Sequence, residues 1–179
     1  MRFYYKEKEK VNAKILKDVK FAMNLDVFDM CTPELQAKLT PMREKFKEED
    51  ERKLQKKIAE KGGGEPMETD TATAAAAVPT KSVTLPYSFP DDVGSNNSGY
   101  YELSAVLTHR GRSSSSGHYV AWVRQKNDTW VMCDDDNMSI VKDEDILKLS
   151  GGGDWHCAYV LLYAPKQLTL EEVPVTAAE

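Results

Sequence analysis

Residues 108–136 read T-H-R-G-R-S-S-S-S-G-H-Y-V-A-W-V-R-Q-K-N-D-T-W-V-M-C-D-D-D. A loop of small residues leads into two apolar segments that are separated by a polar turn, which is the pattern of a β-hairpin. His118 opens the first segment, and three aspartates that begin at Asp134 close the second. The hairpin is therefore predicted to bring an imidazole and a carboxylate together.

The register of this hairpin is predicted from a three-residue loop between its strands. In that register Trp122 faces Trp130 and His118 faces Asp134, so that the aromatic pair and the polar pair share one face. A slip by one residue would put His118 opposite Asp135 and turn the strand faces over.

An imidazole held by a carboxylate has its tautomer fixed, which is what a cysteine or serine nucleophile requires of its general base. A histidine at a hairpin end can equally make an ordinary hydrogen bond, and this alternative stays open on residue types alone. Asp134-Asp135-Asp136 lacks the glycine and the ligand alternation of a calcium loop. A lone histidine beside it makes a poor zinc site, so no metal and no cofactor are predicted.

Composition narrows the class of protein. The chain has 179 residues, enough for one domain or two small ones, and 41% of them are hydrophobic. The formal net charge of -5 gives no reason to expect nucleic acid as a partner. Three cysteines, an odd number, make no disulfide framework, and no apolar run is long enough to span a membrane.

The first part of the chain, residues 1–61, is predicted to hold two short strands at 2–6 and 19–23. Thr32-Pro33 and Thr40-Pro41 each have the pattern of a helix start, the second opening a charged helix on the protein surface that ends near Lys61. Residues 62–81 are small, polar and bounded by proline, which indicates a disordered insertion.

Residues 82–166 are predicted to be rich in strands, with a short helix after residue 143 and a buried strand from Cys157 to Ala164. Residues 167–179 are predicted to be a flexible tail. Strands with helical excursions give an α+β fold class.

The runs G-H-Y-V-A-W-V at 117–123, D-D-D at 134–136 and D-W-H-C-A-Y-V-L-L-Y at 154–163 resemble the histidine box of the ubiquitin-specific proteases. The loop G-R-S-S-S-S-G-H-Y and the upstream G-S-N-N-S-G-Y-Y are most similar to a proteasome-associated member of that family. The similarity extends over nearly the whole chain except the insertion.

This resemblance implies part of a papain-like cysteine peptidase fold, namely a palm sub-domain with an antiparallel sheet and peripheral helices. It implies hydrolysis of the bond that follows the C-terminal glycine of ubiquitin. His118 would be the general base and Asp134 its orienting carboxylate. Tyr119, Tyr159 and His109 would line the channel for the tail of ubiquitin.

The resemblance also implies partners and regulation. The partners are ubiquitin, its conjugates and the proteasome regulatory particle, in the cytoplasm or the nucleus. A loop over the cleft would move before ubiquitin enters. Arg110 and Arg112 precede Ser115 at a spacing that basophilic kinases recognise, which predicts phosphorylation of Ser115. A phosphate there would add negative charge to the loop beside the cleft and would disfavour its closed position. The regulatory loop consists of Arg112, Ser113, Ser114, Ser115 and Ser116.

The family's cysteine box, of the type N-x-G-N-T-C, is absent from the sequence. Cys31 lies in D-M-C-T-P without the flanking residues of that box, and Cys133 and Cys157 lie within predicted strands. The chain is therefore expected to be the C-terminal part of such an enzyme and inactive alone. The alternative is a module that binds ubiquitin or the proteasome without cutting.

Overall fold

A computed structural model of the chain describes residues 3–62, 82–113, 116–125, 129–152 and 155–171. Antiparallel sheets with few helices confirm the predicted α+β class. In chain order the described elements are β1 (Phe3–Lys6), β2 (Val11–Lys14), β3 (Asn24–Asp26), a 3-10 turn (Phe28–Met30), α1 (Pro33–Gly62), β4 (Ser82–Thr84), β5 (Tyr100–Arg110), β6 (His118–Arg124), β7 (Trp130–Asp134), β8 (Asn137–Val141), α2 (Asp143–Leu147), β9 (Cys157–Pro165) and β10 (Thr169–Glu171).

The chain divides into two compact units, residues 1–26 with 100–165 and residues 27–99 with 166–179. The first unit carries a six-stranded antiparallel sheet around β5, whose eleven residues pair with β3, β6 and β9. β6, β7 and β8 follow as consecutive hairpins. The pairing of β5 with β9 is irregular after Leu103 and again after Leu107, where the register shifts.

The core of the first unit lies on one face of this sheet. Side chains of β5, β6, β7 and β9 are buried there against Ile146 of α2 and the neighbouring Leu149. The indole N–H of Trp130 donates to Asp143 Oδ1 at 2.7 Å, which ties β7 to the start of α2. The buried cluster consists of Leu103, Val106, Val120, Trp122, Trp130, Ile146, Leu149 and Ala158.

The predicted register of the β6–β7 hairpin is wrong by two residues. Trp122 pairs with Met132, and Arg124 pairs with Trp130. A shift of two keeps every side chain on its predicted face, because the side-chain period of a strand is two. The predicted cross-strand partners are therefore wrong, but the predicted faces of the side chains are right.

The N-terminal strands differ in part from the prediction. The first is confirmed as β1, but the second is β2 rather than residues 19–23, and it pairs with β1 through a turn in which Lys10 has a φ of 52°. Val19 lies outside the strands, and its N–H donates to the carbonyl of Ser150 at 2.9 Å.

The two predicted helix starts belong to one helix. α1 begins at Pro33 and continues through Pro41, so Thr40-Pro41 is not a start. Proline removes one backbone hydrogen bond. We attribute the continuation to the burial of Leu39 and Phe46 on either side of it. Beyond Phe46 the prediction of an exposed helix agrees with Leu54 and Ile58, which are largely exposed.

The end of the second unit also differs from the prediction. In place of a flexible tail from residue 167, Leu168 is buried and β10 pairs with β4. The rest of the predicted tail, 172–179, and the predicted insertion from residue 63 to 81 lie outside the described residues. No helix among the described residues is long and apolar enough to cross a membrane.

Candidate active site

His118 and Asp134 are brought together at one end of the sheet. His118 is the first residue of β6 and Asp134 the last of β7. In the observed register they are diagonal neighbours rather than directly opposed, yet His118 Nε2 contacts Asp134 Oδ1. About a third of each side chain is exposed, 35% and 37%. The pair is thus formed within the fold and remains open to solvent.

The contact through Nε2 leaves Nδ1 of His118 as the ring nitrogen that can face a nucleophile. A carboxylate on one nitrogen fixes the tautomer and stabilises the imidazolium that forms when the other nitrogen takes a proton. The contact therefore meets the geometric requirement for a general base with an orienting carboxylate.

Gly117 sets the approach to His118. Its φ is +130°, and a Cβ at this position would overlap the carbonyl oxygen of Arg110 and Nε2 of His109. Only glycine fits, because both the backbone conformation and the space exclude a side chain. The glycine of the G-H-Y run is thus explained by the close packing of Arg110 and His109 against it.

His109 is buried, with 1% of its surface exposed. Its ring donates to the backbone carbonyl of Ser116. Nε2 is the ring nitrogen that lies against Gly117, next to Ser116, and Nδ1 has no hydrogen-bond partner among the described residues, so the donor is Nε2. Burial, and then the charge of Lys14, lower the pKa of His109, and the bond to Ser116 opposes that shift. The net shift of this pKa favours the neutral form of the ring.

Tyr119 and Tyr159 form an aromatic cluster with His109 and Phe3. The rings of His109 and Tyr119 lie 4.7 Å apart and those of Tyr119 and Tyr159 6.0 Å apart. Phe3 of β1 contacts both His109 and Tyr159 by its edge. Tyr119 is 46% exposed and Tyr159 44%, so the tyrosines, unlike His109, present surface to a ligand.

The described part of the predicted regulatory loop is joined to β2. The N–H of Lys14 donates to the carbonyl of Arg112 at 2.9 Å, and Ala13 forms a β-bridge with Ser113. The hydroxyl of Ser113 donates to the carbonyl of Asn12 at 3.3 Å. Ser114 and Ser115 lie outside the described residues, so phosphorylation of Ser115 stays a prediction.

A second buried histidine, His156, which the sequence reasoning missed, packs against Trp122 of β6. Nδ1 of His156 is 3.1 Å from Thr108 Oγ1, which also accepts from the indole of Trp122 and donates to the carbonyl of Val120. A hydroxyl has one proton to donate, so all three bonds form together only when His156 Nδ1 carries a proton.

Burial, and then the charge of Arg110, lower the pKa of His156, while Asp134 acts in the opposite direction. The D-W-H run at 154–156 was the sequence signal for this histidine. A histidine that precedes an apolar strand does not, however, indicate which residues it will contact.

Neither strand cysteine of the first unit is placed with the pair. Cys133 precedes Asp134 in β7, so its side chain points to the other face of the sheet. Cys157 is buried, and a Cβ on Gly151 would come within 2.9 Å of its sulfur.

Donor atoms of His118, Asp134 and Asp135 lie within 4.8 Å of one another. They could together ligate a divalent cation, although Asp135 is exposed. A metal-dependent hydrolase is therefore an alternative function that would use the same residues, and chelation tests it.

The fold and the site together define a class of protein: part of a papain-like cysteine peptidase, with a His–Asp pair at the end of an antiparallel sheet. The chain belongs to the ubiquitin carboxyl-terminal hydrolase (UCH) family, because the model of that family matches residues 1–163. The resemblance predicted from the histidine box is thereby confirmed.

Two relatives illustrate the match. Ubiquitin carboxyl-terminal hydrolase 14 of Caenorhabditis elegans is 51% identical over 167 residues, which cover 90% of this chain and 32% of the relative. Ubiquitin carboxyl-terminal hydrolase 6 of Arabidopsis thaliana is 40% identical over 174 residues, which cover 95% of this chain and 36% of the relative. The chain thus spans about a third of the length of these relatives.

A solved structure supports the fold. A SAGA Ubp8/Sgf11/Sus1/Sgf73 DUB module, in which Ubp8 carries one substitution, contains a chain that matches 94% of this chain with a TM-score of 0.50 and 16% identity, over 22% of its own length. At that identity the likeness concerns the fold alone.

Proposed function

We propose that this chain supplies the general base, His118, and the orienting carboxylate, Asp134, of a thiol-dependent ubiquitin hydrolase. The observation that carries the proposal is the contact between His118 Nε2 and Asp134 Oδ1 at the partly exposed end of the sheet. Membership of the hydrolase family supports ubiquitin conjugates as the substrate.

In the proposed reaction His118 Nδ1 takes the thiol proton of a cysteine, and the thiolate attacks the carbonyl carbon of the last glycine of ubiquitin. The amine of the attached lysine leaves with that proton, and a thioester forms between the enzyme and ubiquitin. Water, deprotonated by His118, then attacks the thioester. The C–S bond breaks, the cysteine leaves as a thiolate and takes the proton back from His118, and ubiquitin is released with a free C-terminal carboxyl group. Asp134 stabilises the imidazolium at both steps.

The nucleophilic cysteine is proposed to lie on sequence that this chain does not include. The tyrosines of the aromatic cluster, Tyr119 and Tyr159, are proposed to contact the tail of ubiquitin, since both are nearly half exposed and Tyr119 directly follows His118 in β6. Association with the proteasome and a location in the cytoplasm and nucleus belong to the same proposal and rest only on the sequence resemblance to a proteasome-associated member of the family.

The test replaces the matching third of the Caenorhabditis elegans relative with this chain and measures labelling by a ubiquitin that carries a C-terminal electrophile. The chimera is expected to be labelled, and the 179-residue chain alone is not. Labelling of the isolated chain at Cys31, Cys133 or Cys157 would refute the proposed location of the nucleophile.

The roles of the pair are tested by hydrolysis of a fluorogenic ubiquitin substrate by the same chimera. His118→Ala should lower kcat/KM at least about a thousandfold, and Asp134→Asn by about 10²- to 10⁴-fold. Asp136→Asn, an exposed neighbour in the β7–β8 turn, is the matched control and should change little.

Equal activity of the His118→Ala and unsubstituted chimeras would remove the proposed role of His118. Activity lost on chelation would favour the metal-dependent alternative. Ubiquitin binding by the chain with no hydrolysis by the chimera would favour the binding module.

A further inference from the structure

His109 contacts the backbone on both sides of the catalytic histidine. Its ring Nε2–H donates to the carbonyl of Ser116, and its atoms fill the space where a side chain on Gly117 would lie. On the other side of His118, the ring packs against Tyr119 at a centroid distance of 4.7 Å. Residues 116, 117 and 119 therefore all touch one buried ring.

Further contacts hold both the ring and the backbone of His109 in place. Phe3 of β1 packs its edge against it at 5.4 Å. The ammonium of Lys14, which is buried, donates to the carbonyl of His109 at 2.5 Å. His109 also pairs with Tyr119 and with Cys157 in the central sheet. A ring so enclosed has little freedom to change rotamer, which is the property required of a group that positions another.

We propose that His109 is the positioning residue for His118, holding the turn from Ser116 to Tyr119 through its Nε2–H and its packing against Gly117. This role rests on the proposed function only insofar as His118 is the catalytic base. It differs from the substrate contact implied by the family resemblance, because the side chain is buried and faces the loop rather than solvent.

The acceptor side of His109 supports this assignment. Nδ1 is buried with no hydrogen-bond partner among the described residues. Leaving a buried polar atom unpaired costs about 1–3 kcal/mol, and a structural core position would be better filled by an apolar residue. The histidine therefore contributes something that an apolar residue lacks, and among the described contacts this is the N–H to Ser116.

Two variants separate the N–H from the ring. His109→Phe keeps an aromatic ring against Tyr119 and Phe3 but has no donor, whereas His109→Gln has an amide N–H that can reach Ser116 without a ring. The first measurement needs neither a nucleophile nor ubiquitin: ring 15N NMR of the 179-residue chain shows which nitrogen of His118 carries the proton.

The unsubstituted chain and His109→Gln should show His118 protonated at Nε2, facing Asp134. His109→Phe should show a mixture of tautomers, while thermal unfolding shows that the chain remains folded. If His109→Phe does not fold, His109→Leu makes the same deletion in a smaller side chain. An unchanged tautomer in the folded variant without the donor, or the same disturbance in His109→Gln, overturns the proposal.

The second measurement uses the active chimera. A displaced base affects the chemical step, so His109→Phe should lower kcat about 10- to 100-fold with KM changed less than about twofold, and His109→Gln should recover most of the loss. A substrate contact would instead raise KM and spare kcat, which overturns the proposal. If the chimera is inactive for want of the proposed function, the NMR result still decides the role of His109.

Discussion

The two faces of the six-stranded sheet are both apolar, yet only one is packed. The core face, formed by Val106, Val120, Trp122 and Trp130, is buried, with at most 6% of any of these side chains exposed. The outer face belongs to the same strands and alternates with it. Five of its apolar side chains are 36–80% exposed: Val123, Met138, Ile140, Val160 and Leu162.

The register makes the outer face continuous. Val123 lies opposite Ala105 on one side and Val131 on the other, and Val131 lies opposite Ile140. At the end that carries His118 and Asp134, Phe3 covers this face over His109. Strands that are apolar on both faces are typical of sheets covered on both sides. The difference between the faces therefore shows where the described part of the chain leaves apolar surface available for packing.

The largest effect is expected in the core face. Trp130 is fully buried, so Trp130→Ala should lower the free energy of unfolding by about 3–5 kcal/mol. Urea unfolding followed by circular dichroism measures this change. A loss below about 1 kcal/mol would mean that the core face is not packed as described.

A polar change inside the core face should have a smaller effect. Thr108→Val keeps the shape of the side chain but leaves the indole N–H of Trp122 and Nδ1 of His156 without their shared partner. The expected loss is about 1–3 kcal/mol. Thr108→Ser, which keeps the hydroxyl, is the control, and equal losses in the two variants would contradict the bonding.

Acid should weaken the fold through one histidine on each face. The pKa values of His109 and His156 are lowered by burial, so the unfolded chain binds more protons than the folded one. Stability is therefore full above the unfolded pKa of about 6.5 and falls as the pH drops below it, by at most about 1.4 kcal/mol per histidine for each pH unit.

The measurement of this pH effect is the urea midpoint at about pH 7.5 and about pH 5.5, on either side of the unfolded pKa. His109→Gln and His156→Gln should each flatten the dependence, and the larger flattening identifies which face contributes more. A midpoint that does not fall in the unsubstituted chain would show that neither histidine is held neutral.

The smallest effect is expected on the outer face. The double change Met138→Ser and Ile140→Ser should alter the stability of this chain by no more than about 0.5 kcal/mol for each residue, because both side chains are more than three-quarters exposed. The same change in the chimera sharpens the comparison. If the longer protein covers the outer face, the loss there rises to about 1.5–3 kcal/mol per side chain.

Much of the site could be predicted from the sequence. The G-H-Y run and the aspartates identified His118 and Asp134, and the structure brings them into contact. The tyrosines were identified through the family resemblance. The burial of His109, the bond between His156 and Thr108, and the role of Phe3 were not predicted, because each depends on segments that are distant in sequence.

The alternation of apolar and polar residues determined, from the sequence alone, which side chains of β6 and β7 share a face. It did so because a strand has a period of two, so that a register error of two residues leaves every face unchanged. Only the tertiary structure decided the partners, Trp122 with Met132 instead of Trp130, and the diagonal reach of His118 to Asp134. Pairing depends on the loop conformation and on the packing of the whole sheet, and neither can be determined from the period-two pattern of a single strand.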